Sequence, residues 1–241
     1  MDIGDVVSDS LKYPSSNWSK VVILGILLLI SILIIPIFLS LGYMFRVIKA
    51  TLAGVDELPS FDEWEEMLID GVKLFLVYLI YSLPAIIIGI FSVISLWSSL
   101  RSLIYITQTS GGNITPDAFF NILGGTFLIG MIIAGLYILV IYPIMAVAVG
   151  NMAYYNGELG AAFRFDEILS TIYEIGWVDL IIWYIMMIVL GSIIGFIGGI
   201  IGIIPIGWLV IILIVYPYLY LFYSRAVARL YLSAFEEEYM A

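Results

Sequence analysis

Residues 180–224 run for roughly 45 positions without an Asp, Glu, Lys or Arg, and as a single helix they would measure about 67 Å at about 1.5 Å per residue. The hydrocarbon core of a bilayer is only about 30 Å thick, so this stretch has to turn back on itself. A helix that is apolar all round has no face to show to water, which excludes an ordinary soluble domain. Composition agrees. The 241 residues are 63% hydrophobic and 12% charged, whereas soluble domains are about half apolar and about a quarter charged. The expected fold is therefore an all-α integral membrane protein, a single membrane domain over 1–241 with about five to six membrane segments.

Several chemistries fall away with the residue types. There is no Cys and no His, which removes disulfides, thiolate nucleophiles, imidazole bases and the usual zinc and haem ligands, so no cofactor and no metal is expected. A nucleophile would lack its customary base, and no Gly-x-Ser-x-Gly elbow is present, so an enzyme is the least favoured class. The net charge of -10 argues against nucleic acid as a partner. Asp2, Asp5 and Asp9 precede any apolar run, where a secretory signal needs basic residues, and no cleaved signal is expected.

The chain rhymes with itself. "SFDEWEEMLIDGVKLFLVYLIY" from 60 and "RFDEILSTIYEIGWVDLIIWYI" from 164 share Phe-Asp-Glu, then a Gly, then an apolar helix. In the later copy Phe165, Ile168, Leu169, Ile172 and Ile175 fall on one helical face and Asp166, Glu167, Ser170, Thr171 and Glu174 on the other. That pattern predicts an amphipathic helix lying on the membrane surface. In the earlier copy Phe61, Trp64 and Leu68 form the stripe, and Ser60 with Glu63 reads as a capping box. A weaker third copy sets Ile3, Val6, Val7 and Leu11 against Asp2, Asp5, Ser8, Asp9 and Lys12. The apolar runs break at Pro36 in "LIIPIF" and Pro205 in "GIIPIG", both read as hairpin tips. Surface helix plus hairpin then gives parallel repeats over about 1–58, 59–160 and 161–241, related by an axis along the membrane normal. Each hairpin returns to Phe and two acids: Phe61-Asp62-Glu63, Phe165-Asp166-Glu167 and Phe235-Glu236-Glu237.

Basic residues orient these segments. If 21–45 crossed once, Lys12, Lys20 and Arg101 would share one side and the six other basic residues the opposite one. If 21–53 is instead a short or re-entrant hairpin, Arg101 stands alone against the other eight, a sharper bias and the preferred reading. Both termini then face the cytoplasm of a multi-pass cell-membrane protein, and 97–117 is an external loop whose "NIT" at Asn113 reads as a chance sequon.

"LGYMFRVIKATLAGVDELPSFDEWEEMLIDGVKLFLVYLIYSLP" (41–84) resembles the prokaryotic, mainly archaeal membrane family known as domain of unknown function four-zero-one-three. Gly42-Tyr43, Arg46, Gly54, Leu58-Pro59, the acidic helix with its Trp, and Gly71 carry the resemblance. It implies a multi-span membrane protein and supplies no reaction, ligand or functional residue. The later repeat keeps Gly150, Met152 and Gly157 but has no basic residue matching Arg46.

Candidate sites each have a plain reading and a sharp one. Asp62, Glu63, Glu65 and Glu66 read as a solvated face, with a cation or basic-partner site as the alternative. Gly191, Gly195 and Gly199, four apart, read as helix packing within the chain, with a homodimer seam second. Tyr and Trp near segment ends read as an interfacial belt. Arg46, Lys49, Arg225 and Arg229 leave the membrane on helices and read as lipid headgroup contacts, with a pocket for an anionic solute second. Lys73 and Asp179, at matching places in two repeats, read as an inter-repeat ion pair or as two groups reaching water separately. The favoured function is a structural or adaptor platform whose acidic helices meet a basic cytoplasmic protein, membrane lipids being the other partner. The alternative is a transporter, channel or lipid-handling protein with an apolar path between repeats.

Overall fold

The computed structural model describes residues 3–109, 116–117 and 125–235. The described residues are all-helical, and five helices are long and apolar enough to cross a membrane. In chain order α1 is Ile3–Lys12, α2 Trp18–Leu29, α3 Ile35–Leu52, α4 Trp64–Thr109, α5 Thr126–Tyr154, α6 Phe165–Ile175, α7 Trp177–Gly202 and α8 Gly207–Leu232. The five apolar helices are α3, α4, α5, α7 and α8. The chain divides into two compact units, Met1–Tyr78 with Pro143–Ala241, and Leu79–Tyr142.

In the larger unit the first apolar run is broken, as the basic-residue bias predicts. The break lies earlier than Pro36, in a 3-10 turn at Ser31–Leu33 and at Ile34, whose φ of 68° is rare for a β-branched residue. Pro36 falls in the first turn of α3, where its missing N–H leaves nothing unsatisfied. α2 has 12 residues, about 18 Å, so this limb is shorter than a bilayer core. Its tip is apolar and exposed at Ile32 and Leu33, yet the turn bonds itself: Leu33 N–H donates to Ile30 O, Ile34 N–H to Ser31 O, and the Ser31 hydroxyl to Leu27 O. Backbone satisfied in this way needs no water.

Three close backbone contacts join α3 to α4 and α2 to α8. A Cβ at Gly42 would lie 1.7 Å from Met67 O, and one at Gly71 would lie 1.7 Å from Phe38 O, so α3 and α4 cross antiparallel at van der Waals distance. A Cβ at Gly25 would lie 2.3 Å from Leu213 O. That carbonyl is presented by a π turn over Ile211–Val215. The cause is Pro217, which has no N–H for Leu213 O and whose ring crowds it, so the helix widens and Tyr216 N–H reaches back to Ile211 O. Around these contacts Val21, Leu24, Tyr43, Val47, Met67 and Leu221 form a buried core, and Phe61 stacks on Tyr43 at 3.8 Å.

α7 and α8 run antiparallel about a turn containing Pro205, the tip the sequence predicts. Tyr223 Oη donates to Met187 O at 3.0 Å, and Gly198 packs near Val215. α6 buries Ile168, Thr171, Ile172 and Ile175, so Thr171, assigned to the polar face, turns inward and donates to Glu167 O. The earlier acidic segment is not a helix of its own. α4 starts only at Trp64 and continues unbroken to Thr109, and the capping box at Ser60 does not form. Glu63 instead has φ 48°, which folds 60–63 into a loop. In the smaller unit the later part of α4 runs antiparallel to the earlier part of α5, with Tyr137 Oη donating to Tyr81 O at 2.9 Å and Gly130 against Ser92 Oγ. Helix through Thr109 replaces the first half of the external loop expected at 97–117. Asn113, Glu236 and Glu237 lie outside the described residues.

Candidate functional site

The polar chemistry of the larger unit gathers where α1, α3, α4, α6 and α8 meet their connecting loops. Arg225, in the third turn from the end of α8, is 2% exposed and uses all three of its nitrogens. Nε donates to Asp9 Oδ2 at 2.8 Å, Nη1 to Thr51 Oγ1 at 3.3 Å and Val55 O at 3.2 Å, and Nη2 to Asp56 Oδ1 at 2.6 Å and Asp9 Oδ1 at 3.4 Å. The Tyr13 ring covers the guanidinium at 4.6 Å. Arg229, one turn on, donates from Nε to the same Asp9 Oδ2 at 2.9 Å. One arginine thus joins α1, the end of α3 and the loop after it to α8.

Burial alone would raise the Asp9 pKa, but hydrogen bonds from Arg229 and Arg225 and the charges behind them outweigh it and hold this carboxyl at about 2. A lowered carboxyl contributes stability that is complete above its unfolded pKa near 3.8 and disappears as pH falls through about 2. Melting curves of the wild type and Asp9→Asn between about pH 5 and pH 2 should therefore converge toward the acid end. A constant gap across that range would mean the two arginines do not bind this carboxylate in solution.

A second cluster surrounds the acidic segment. Arg46 Nη1 donates to Ser60 O at 3.1 Å, Asp62 O at 2.7 Å and Asp62 Oδ1 at 2.8 Å, and Nη2 lies 3.6 Å from Glu63 Oε2. This guanidinium winds the 60–63 loop around itself, which is why the helix starts late. Ser60 and Arg46 bonding lowers the Asp62 pKa, the side-chain hydrogen bond from Ser60 first. Lys49 Nζ bridges Glu66 at 3.1 Å and the buried Asp70 at 2.6 Å. Asp70 also lies 3.7 Å from Lys73, which donates to Gly157 O at 2.9 Å. A third group is buried between α5, α6 and α8: Tyr231 Oη donates to Asn151 Oδ1 at 2.8 Å, and Asn151 Nδ2 donates to Ala161 O at 2.9 Å and Glu167 Oε2 at 3.2 Å.

These contacts revise the expected sites. Lys73 pairs with Asp70, one turn before it on α4, and with a loop carbonyl; the pair with Asp179 is not among the ion pairs of the described residues. Arg46, Lys49, Arg225 and Arg229, expected at lipid headgroups, all hold carboxylates of this chain, and Arg225 is only 2% exposed. Of the acidic four, Asp62, Glu63 and Glu66 face water but are also paired. No group of His, Cys, Asp and Glu suited to a metal ion occurs among the described residues. Gly191 packs, its absent Cβ leaving room for Tyr223 Oη, but Gly195 and Gly199 face open space. Asp9, Thr51, Asp70 and Asn151 went unremarked as partners in the sequence. The one available signal was Asp70 three residues before Lys73 on a helix.

No curated protein and no solved structure matches the chain. The resemblance carried by 41–84 is borne out over a much longer stretch. A family model described as Protein of unknown function (DUF4013) matches residues 24–203, which is well over half of the chain, and the chain belongs to that family.

Proposed function

We propose that this protein is a membrane-anchored platform that presents an acidic face to a basic partner protein at the cytoplasmic surface. The observation that carries the reading is an asymmetry of exposure within the ion pairs. Arg225, Arg46 and Lys49 are drawn inward, with side-chain exposures of 2%, 12% and 17%, while Asp56, Glu63, Asp62 and Glu66 point out at 82%, 70%, 64% and 55%; Asp70, 5% exposed beneath Lys49, is the exception. Glu57 and Glu65 add exposed charge. The solvent face of these loops is thus more negative than its composition, because the compensating charge lies beneath it. The three antiparallel helix pairs, two of them introduced by Phe-Asp-Glu, support a parallel repeat of surface segment plus hairpin. Arg101 is the one basic residue of 79–142, which supports placing the remaining eight, and both termini, on the cytoplasmic side.

The reading is tested with the full chain in zwitterionic nanodiscs and a Lys/Arg-rich amphipathic peptide as probe. Binding should weaken steeply with salt, and Glu57→Gln with Glu65→Gln, two carboxylates outside the ion pairs of the described residues, should weaken it about threefold or more at low ionic strength. Peptide binding insensitive to both salt and these changes would overturn the platform. So would robust lipid scrambling or neutral-solute flux in proteoliposomes beyond a protein-free control, which would favour an apolar path instead.

A further inference from the structure

Asp9 occupies a point on which two guanidinium groups converge. Arg225 and Arg229 stand one turn apart on α8, so both project from one face of a long helix whatever lies against it. Their Nε atoms reach a single oxygen, Asp9 Oδ2, at 2.8 and 2.9 Å. Charge-assisted N–H donors fixed on a rigid element are the set that holds phosphate and carboxylate oxyanions. Of the remaining donors of Arg225, Nη1 is held by Thr51 and Val55 O, Nη2 by Asp56 at 2.6 Å with a longer bond to Asp9 Oδ1 at 3.4 Å, and Tyr13 covers the face. If Asp9 departs, the buried charge therefore keeps a counter-ion while both Nε groups still aim at the same place. α8 need not rearrange to receive another anion there.

The element that delivers Asp9 is a short helix. α1 has 10 residues, too few for a stable isolated helix, and it is joined to α2 through the 3-10 turn at Tyr13–Ser16. Its own Val6 and Val7 are buried, and Tyr218 Oη donates to Leu11 O. Against this, Ser10 Oγ is buried with no hydrogen-bond partner among the described residues, so docking α1 strips water from a hydroxyl at a cost. Asp9 and Arg229 are each about a third exposed, which leaves the site open to solution at its rim.

We propose that Arg225 and Arg229 form a binding site for a phosphate-bearing anion, and that Asp9 on α1 is its tethered occupant, displaced when the anion binds. The position at the polar end of a membrane helix suits a phospholipid headgroup, and free phosphate shares the chemistry. The inference does not depend on the platform reading, since peptide binding and anion binding are read separately.

The test uses the full chain in detergent with dihexanoyl phosphatidate as probe, dihexanoyl phosphatidylcholine and inorganic phosphate forming the other arms. Asp9→Asn should bind phosphatidate about tenfold tighter than the wild type, as loss of a tethered competitor at millimolar effective concentration implies. Adding Arg229→Gln should abolish that gain. Inorganic phosphate binding as tightly as phosphatidate would support the site and identify its ligand as a free anion, whereas weaker phosphate binding would support a lipid headgroup. An Asp9→Asn affinity equal to wild type, or equal binding of phosphatidylcholine, would overturn the proposal. Should Asp9→Asn fail to fold, Ser10→Ala decides. Removing the orphaned hydroxyl seats α1 more firmly and should weaken phosphatidate binding, and an unchanged affinity would overturn the proposal.

Discussion

Arg225→Ala is expected to be the most damaging single substitution in the larger unit, costing about 3–5 kcal/mol, the range for removing one partner of a buried ionic group. The side chain is 2% exposed and joins α1, Thr51, the 55–56 loop and α8, so its loss acts at several places together. Thr51 would keep a buried hydroxyl with one donor fewer, Val55 O would lose its guanidinium donor, and Asp9 would retain only Arg229. Arg225→Lys should recover only part of the stability. An ammonium has the charge but not a planar fork that spans two carboxylates and a carbonyl on different segments. Unfolding of the three proteins in a common detergent, followed by tryptophan fluorescence, measures the order wild type, Lys, Ala. Arg225→Ala within about 0.5 kcal/mol of wild type, the level of an ordinary surface change, would show that the network is not formed in solution.

That substitution touches what the sequence conceals. The membrane class is legible because it depends on runs of one residue kind, and a charge-free stretch such as 180–224 admits few folds. The breaks are legible too, since Pro205 marks one turn and the distribution of basic residues favours the other, although the backbone turns at Ile30–Ile34 rather than at Pro36. What the sequence conceals is which charge meets which. Asp9 and Arg225 are separated by 216 positions, and nothing local to either distinguishes it from a solvated group. Ser60 shows why a local rule fails: its spacing to Glu63 suits a capping box, but Arg46 collects three carbonyls of the segment and sets its path from α3. The glycines fail for a related reason. Spacing suggested Gly191, Gly195 and Gly199, whereas close approach depends on a partner backbone, which Gly25, Gly42 and Gly71 have and Gly195 and Gly199 lack.

Gly42→Ala and Gly71→Ala are expected to cost at least about 1–3 kcal/mol each, the usual range for overpacking a tight contact. In both cases the new methyl would fall 1.7 Å from a backbone carbonyl oxygen, which cannot rotate aside as a side chain can. The contacts are reciprocal: Gly42 meets Met67, four residues before Gly71, and Gly71 meets Phe38, four residues before Gly42. Relief therefore requires α3 and α4 to move apart at their crossing. Once one alanine has separated them, the second meets less resistance, so the double variant should lose less than the sum of the singles. The consequence reaches the charged cluster. Arg46 and Lys49 leave α3 just beyond Gly42, and Asp70 immediately precedes Gly71, so the 2.6 Å bond from Lys49 to Asp70 depends on the same approach. Changing Asp70 to Asn should then cost less in the Gly42→Ala background than in the wild type, a coupling that a double-mutant cycle in detergent measures directly. Equal costs in the two backgrounds would mean that Lys49 follows Asp70 when the helices part, and would remove the link from glycine packing to the ion pairs beneath the acidic face.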